Sequence, residues 1–209
     1  MQMVVFLYPG MTALDLIGPH ELLSRIPDTT VKVVAETVGP VKTDTGIELV
    51  AEYSIDQIDS ADLLLIPGGS ETLKAMESEA TLAWLRKIDA TTQRTASVCT
   101  GSLLLAAAGL LHNRQATTHW AMRETLAELG AEVSTDRVVE SGKYITAAGV
   151  SAGIDMGLTL LAQLAGEDFA QLLQLVIEYQ PEPPFNAGSP ETAPAHIMQL
   201  ALQRRAETQ

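Results

Sequence analysis

The residue best equipped for chemistry is Cys99, the single cysteine of the chain. It stands in Ala96-Ser97-Val98-Cys99-Thr100-Gly101-Ser102, between a short apolar run and a longer helix-like one. Gly101, two residues on, gives the backbone room to turn sharply. A strand that turns abruptly into a helix lifts its turn residue above the sheet, which is the logic of a nucleophile elbow. Unpaired N–H groups at the start of such a helix favour thiolate over thiol. A lone cysteine more often serves as a small buried hydrophobe. The strand–Cys–x–Gly–helix setting points instead to a nucleophile.

A thiolate nucleophile needs an acid–base partner. Asp15 is one candidate, set among Leu14, Leu16 and Ile17, where a solvated carboxylate is out of place. A carboxyl buried beside a thiolate holds its proton at neutral pH; the simpler role for Asp15 is to cap a helix. His119, in Ala116-Thr117-Thr118-His119-Trp120, is a conventional base, or a structural histidine packed on Trp120. His20 reads as a supporting or interface residue, and His112 and His196 as surface residues. Gly68-Gly69 follows the apolar run 62–66 and offers N–H groups as an oxyanion-type hole. Gly149-Val150 precedes another helix-like stretch, so its N–H groups are expected to face the same site.

These positions need a scaffold, and hydrophobic periodicity supplies one. Strands are expected at 3–8, 31–35, 62–66, 95–98, 116–118, 132–139 and 143–147, with 47–53 on an edge or in a hairpin. Helices are expected at 13–24, regular from Gly18-Pro19, and at 72–87, 102–108, 121–129, 151–164, 169–179 and 195–205. Alternating strands and helices imply an α/β fold, a mostly parallel, flavodoxin-like sheet sandwiched by helices. Ligands bind such sheets at the carboxyl ends of the strands. The turns after Ile66 and Val98 both lie there.

Composition narrows the setting. The chain has 209 residues, enough for one domain, and 46% of them are hydrophobic, which excludes a disordered chain. Thirteen Lys and Arg against 26 Asp and Glu leave a net charge of −13, so nucleic-acid and anionic-membrane partners are not expected. One cysteine excludes an internal disulfide and argues against a cysteine-bound metal; no metal or other cofactor is expected. Met1–Tyr8 carries no cationic signal-peptide start, so a cytoplasmic location is expected. The least charged stretch, 95–111, is too polar at its start to span a membrane. The proline-rich segment 181–195 reads as an arm before a last helix. The chain is therefore expected to be one domain, 1–209, with a C-terminal arm and helix at about 181–209.

The blocks "LDLIGPHELL", "LLLIPGGS", "SVCTGSLLLAAAGLL", "ATTHWA", "TAAGVSAGIDMGLTL" and "EYQPEPPFNAGSP" together resemble the ThiJ/PfpI superfamily of the class I glutamine-amidotransferase-like fold. More narrowly they resemble its isocyanide hydratase branch. The match runs in order from residue 3 to about 195 and covers nearly the whole chain. The resemblance implies addition of water to an isocyanide to give an N-substituted formamide through a cysteine thioimidate. It implies Cys99 as nucleophile, Asp15 as its acidic partner, Thr100 as hydrogen-bonding support, and backbone of Gly69 and Val150 lining the pocket. It also implies a homodimer. Peptidase-like relatives carry histidine directly after the cysteine, where this chain has Thr100. Many members use glutamate where this chain has Asp15. Both differences argue against peptidase or deglycase chemistry and against His119 as a dyad base. Ligand or redox sensing without turnover, and glyoxalase or deglycase activity, are the alternatives. In the transcription regulators that share this fold a helix-turn-helix follows it; after the arm this chain has only 195–205 and no basic recognition helix.

Overall fold

The apolar runs ending at Phe6, Ile66 and Val98 become the inner strands of a seven-stranded sheet. A computed structural model describes residues 1–207. The strands are β1 (Gln2–Phe6), β2 (Thr30–Ala35), β3 (Gly39–Lys42), β4 (Glu48–Ala51), β5 (Tyr53–Ser54), β6 (Leu63–Ile66), β7 (Arg94–Val98), β8 (Gln115–Ala116), β9 (Glu132–Val133), β10 (Val138–Ser141) and β11 (Tyr144–Ala147). The main sheet has the order β10-β11-β7-β6-β1-β2-β5 and is parallel except for β10. All four residues of β6 are buried, as a strand covered on both faces requires.

The helices are α1 (Ala13–Leu23), α2 (Thr72–Ala75), α3 (Glu79–Asp89), α4 (Gly101–Ala107), α5 (Arg123–Glu128), α6 (Ala152–Ala165), α7 (Glu167–Val176) and α8 (Ala195–Glu207). Six of them pack in two groups, α1 with α6 and α4 with α2, α3 and α5. α1 and α6 meet closely because α6 presents glycine. A Cβ on Gly157 would lie 3.0 Å from Leu22 Cδ1 and 3.2 Å from Pro19 Cα. The chain forms two compact units, Met1–Gln174 and a second beginning at Leu175. Asp15, Gly68, Gly69, Cys99, Thr100 and Val150 all lie in the first.

Local chemistry redraws several expected elements. The helix expected at 72–87 is two helices, because α2 ends at Ala75 and Ser78 caps a new one, its Oγ accepting the Thr81 N–H at 3.2 Å. The strand expected at 132–139 divides. β9 pairs with β8 in a small separate sheet, and β10 joins the main one as its antiparallel edge. Residues 47–53 serve both expected roles, with β4 in a hairpin with β3 and β5 on the sheet edge. α1 is already helical from Ala13, with Pro19 inside it rather than at its start.

Four strand-to-helix turns converge at the carboxyl ends of the parallel strands. The turn after β1 leads to Asp15, that after β6 is Pro67-Gly68-Gly69, that after β7 is Cys99-Thr100, and that after β11 is Gly149-Val150. Met11 and Gly69 form an antiparallel bridge that ties the first turn to the second.

Candidate active site

Cys99 is a non-glycine residue in the left-handed region, with φ 56°. Its own hydrogen bonds hold it there. The Cys99 N–H donates to Ala147 O at 3.0 Å, at the end of β11, and to Ala148 O at 2.8 Å, just past it. Its carbonyl accepts the Ser102 hydroxyl at 3.2 Å and the Thr118 hydroxyl at 3.0 Å. Cys99 is 6% exposed.

Three groups act on the Cys99 thiol. The Asp15 carboxyl makes a side-chain hydrogen bond with it, and the backbone N–H groups of Val150 and Thr100 favour its anion. Asp15 is fully buried. Its Oδ2 accepts the Gly68 N–H at 2.9 Å, and its Oδ1 is sealed from solvent without a fixed donor. Burial pushes the Asp15 carboxyl from 3.8 up to about 7, opposed by the Gly68 N–H and the Cys99 thiol. Burial, then the Asp15 charge, pushes the Cys99 thiol up from 9.0 to about 12. The low-pKa thiolate expected from the helix N-terminus is thus corrected. Desolvation and a neighbouring carboxylate outweigh the two N–H donors. Burial is the largest cause for both groups, and the Asp15 charge adds to it at Cys99.

The oxyanion-type hole expected at Gly68-Gly69 is also corrected. Both N–H groups are already committed, Gly68 to Asp15 and Gly69 to Thr100 Oγ1 at 2.9 Å. Their work is to fix the acid and the threonine. Thr100 Oγ1 further bonds Thr72 Oγ1 at 2.7 Å, and Thr72 Oγ1 bonds the Tyr8 hydroxyl at 2.9 Å. That hydroxyl also donates to Pro67 O at 3.1 Å. Sequence reasoning missed Tyr8, Thr72, Ser102 and Thr118. Thr118 adjoins the His119 that drew attention, and Tyr8 closes the first strand.

Gly149 accepts the Ala152 N–H at 2.9 Å at the start of α6. The His119 ring packs on Gly149, where a Cβ would lie 3.0 Å from its Cδ2, and on Trp120 at 5.4 Å between centroids. Its Nδ1 accepts the Ala121 N–H at 3.3 Å, capping a short 3-10 turn. His119 therefore supports the loop that carries Val150, while Asp15 meets the thiol. His20 is half-buried in the last turn of α1. Burial lowers its pKa, and its charged neighbour is Glu21. A separate cavity of about 320 Å3 opens at the carboxyl ends of β1 and β2, lined by Tyr8, Glu36, Lys74 and Thr81 among others. Neither Cys99 nor Asp15 lines it. Among the described residues no group of three or more His, Cys, Asp or Glu side chains is gathered to hold a metal ion.

Similarity to known proteins covers the same ground. The chain is 43% identical over 206 residues to an isonitrile hydratase of Pseudomonas putida, spanning 99% of this chain and 90% of that enzyme. A crystal structure of a ThiJ/PfpI family protein from Pseudomonas syringae superposes with a TM-score of 0.96 at 41% identity, covering 99% of this chain and 86% of that one. An HTH-type transcriptional regulator of Pseudomonas aeruginosa, CdhR, is 36% identical over 140 residues, which are 66% of this chain and 41% of the regulator. Residues 1–163, which hold Asp15, Cys99 and every turn of the site, match the DJ-1/PfpI family, and the chain belongs to it.

Proposed function

We propose that the protein is an isocyanide hydratase, adding water to an isocyanide, R–N≡C, to give an N-substituted formamide. The observation that carries this reading is the pairing of Cys99 with a buried carboxyl whose pKa is raised to about 7. The isocyanide carbon must gain both a nucleophile and a proton, and this pair holds one of each. Similarity to the isonitrile hydratase of P. putida supports the substrate class.

In the first step the Cys99 sulfur bonds to the terminal carbon as its proton passes to the Asp15 carboxylate, and Asp15 delivers a proton to that same carbon. The triple bond becomes C=N, the product is a thioimidate, and Asp15 is left as carboxylate. Water then adds its oxygen to the carbon, and Asp15 relays a water proton to the nitrogen. Collapse to the formamide carbonyl expels the Cys99 sulfur and passes the second water proton through Asp15 back to it. Atoms and charge balance at each step, and the pair ends as it began. Thr100 holds the Gly69 turn beside the pair, and Val150 lends its N–H to the sulfur as the thiolate departs.

Two rival roles fit less well. Redox sensing needs an accessible thiolate of low pKa, whereas Cys99 is 6% exposed and its thiol is pushed up. Regulation of transcription rests on similarity to a protein of which this chain covers 41%. The reading extends to a single-domain protein, residues 1–209, acting in the cytoplasm as a homodimer without nucleic-acid partners. Leu14 and Ile17, exposed apolar residues of α1, support self-association, and light scattering tests it. The function is tested by mixing the protein with an alkyl or aryl isocyanide and following formamide. Absence of turnover, or unchanged turnover in Cys99→Ala, overturns the proposal.

A further inference from the structure

Cys99 keeps a left-handed backbone that only its surroundings can enforce. Its peptide unit is gripped on both sides. On one side its N–H reaches the carbonyls of Ala147 and Ala148. On the other its carbonyl takes hydrogens from Ser102 and Thr118. Ser102 is a local partner, three residues on in the first turn of α4. Thr118 is a distant one, nineteen residues away in sequence, fully buried, and anchored in turn. The adjacent Thr117 N–H donates to Thr146 Oγ1 at 2.9 Å, and Thr146 lies on β11, beside the Ala147 that receives the Cys99 N–H. One strand end therefore sets both the N–H and the carbonyl side of the elbow.

We infer that Thr118 is a positioning residue for the nucleophile: its hydroxyl, with that of Ser102, clamps the Cys99 carbonyl and so aims Sγ between Asp15 and the Val150 N–H. The segment expected to contribute an imidazole contributes a hydroxyl instead. A buried O–H aimed at a carbonyl is directional, so removing it lets the elbow rotate without opening a cavity. This inference rests on Cys99 as the reactive residue, and one arm of its test needs no turnover.

The experiment compares Thr118→Val, which keeps the shape and loses the hydroxyl, with Thr118→Ser, which keeps the hydroxyl. Iodoacetamide alkylation is followed across pH in each. The chain has one cysteine, so the label reports Cys99 alone. In Thr118→Val the alkylation profile moves to higher pH, as the sulfur slips from the Val150 and Thr100 N–H groups, and Thr118→Ser restores it. With an isocyanide as substrate, Thr118→Val lowers kcat roughly 10- to 100-fold with little change in KM, as expected when a reacting atom is displaced by about 1 Å. If Thr118→Val does not fold, Ser102→Ala removes the other hydroxyl and shifts the profile in the same direction. A profile that stays in place or moves to lower pH, or a Thr118→Ser that behaves like Thr118→Val, overturns the clamp. Wild-type protein that alkylates as expected but yields no formamide overturns the hydratase reading alone.

Discussion

Asp15 Oδ2 accepts the Gly68 N–H at 2.9 Å, so the carboxyl is pinned to the turn after β6 through one oxygen, while the other is buried without a fixed donor. An amide in its place still accepts the Gly68 N–H but holds no transferable proton. Asp15→Asn is expected to lower kcat roughly 100- to 10,000-fold, the range of general acid–base catalysis, at nearly unchanged KM. Steady-state formamide production measures it. A kcat within about tenfold of wild type removes Asp15 as the acid.

The same carboxyl imposes a pH dependence on stability. Between pH 3.8 and about 7 the folded chain keeps a proton on Asp15 that the unfolded chain has lost. The folded state binds more protons there, so stability falls as pH rises through this window and this contribution is flat above it. The shift corresponds to roughly 4 kcal/mol for a carboxyl with no solvent exposure. Urea unfolding of wild type and Asp15→Asn across pH 4 to 8 tests the sign. The variant gains on wild type as pH rises; a constant difference contradicts the shift. Cys99 acts in the same sense at higher pH, its contribution falling between 9.0 and about 12.

Gly68 is required by space and not by backbone angle. A Cβ there would lie 2.6 Å from Thr100 Oγ1 and 2.9 Å from Asp15 Oδ2, and would run into the Thr100 backbone nitrogen. Gly68→Ala is expected to abolish formamide production by driving the acid and the threonine apart. Thr100→Val is the milder test. It leaves the Gly69 N–H without its acceptor, which costs roughly 1–3 kcal/mol, and it also breaks the bond to Thr72. A thermal midpoint equal to that of wild type would show that the turn finds another acceptor.

The parts of the site that the sequence exposed are those where one residue type breaks a local pattern. Cys99 and Gly101 interrupt a strand–helix junction, and Asp15 interrupts an apolar helix. Gly68 and Gly69 were placed correctly along the chain, yet their N–H groups went to Asp15 and Thr100. A turn's geometry does not say which acceptor arrives from elsewhere. Thr118 stayed hidden because a threonine before a histidine looks ordinary until β11 brings it to the Cys99 carbonyl. The fold followed a similar rule. Continuous apolar strands were legible, while the break at Ser78 turned on one hydroxyl capping the next helix. The expected thiolate failed because a helix N-terminus is a local feature and burial is not.

Asp89 sits near the other ends of β7 and β11 and gives a contrast to the site. It is buried, its Oδ1 accepts the Thr95 hydroxyl at 2.7 Å, and its Oδ2 accepts the Tyr144 hydroxyl at 3.0 Å. Lys143 Nζ lies 3.0 Å from Oδ2 and also bonds the Asp89 carbonyl. Burial, then Asp89, pushes the Tyr144 phenol up to about 12. Removing the carboxylate takes the acceptor from the Tyr144 hydroxyl and one partner each from the Thr95 hydroxyl and the Lys143 ammonium, which keep their bonds to Thr92. Breaking a buried pair from one side costs about 3–5 kcal/mol. Lys143 is partly exposed, so Asp89→Ala belongs near the lower end of that range. Its kcat per folded molecule stays at the wild-type value, because no hydrogen bond of this cluster reaches Cys99 or Asp15 among the described residues. Denaturant unfolding and active-site titration by alkylation separate the two quantities. A loss of kcat at full folding would mean that this end of the sheet communicates with Cys99 through β11.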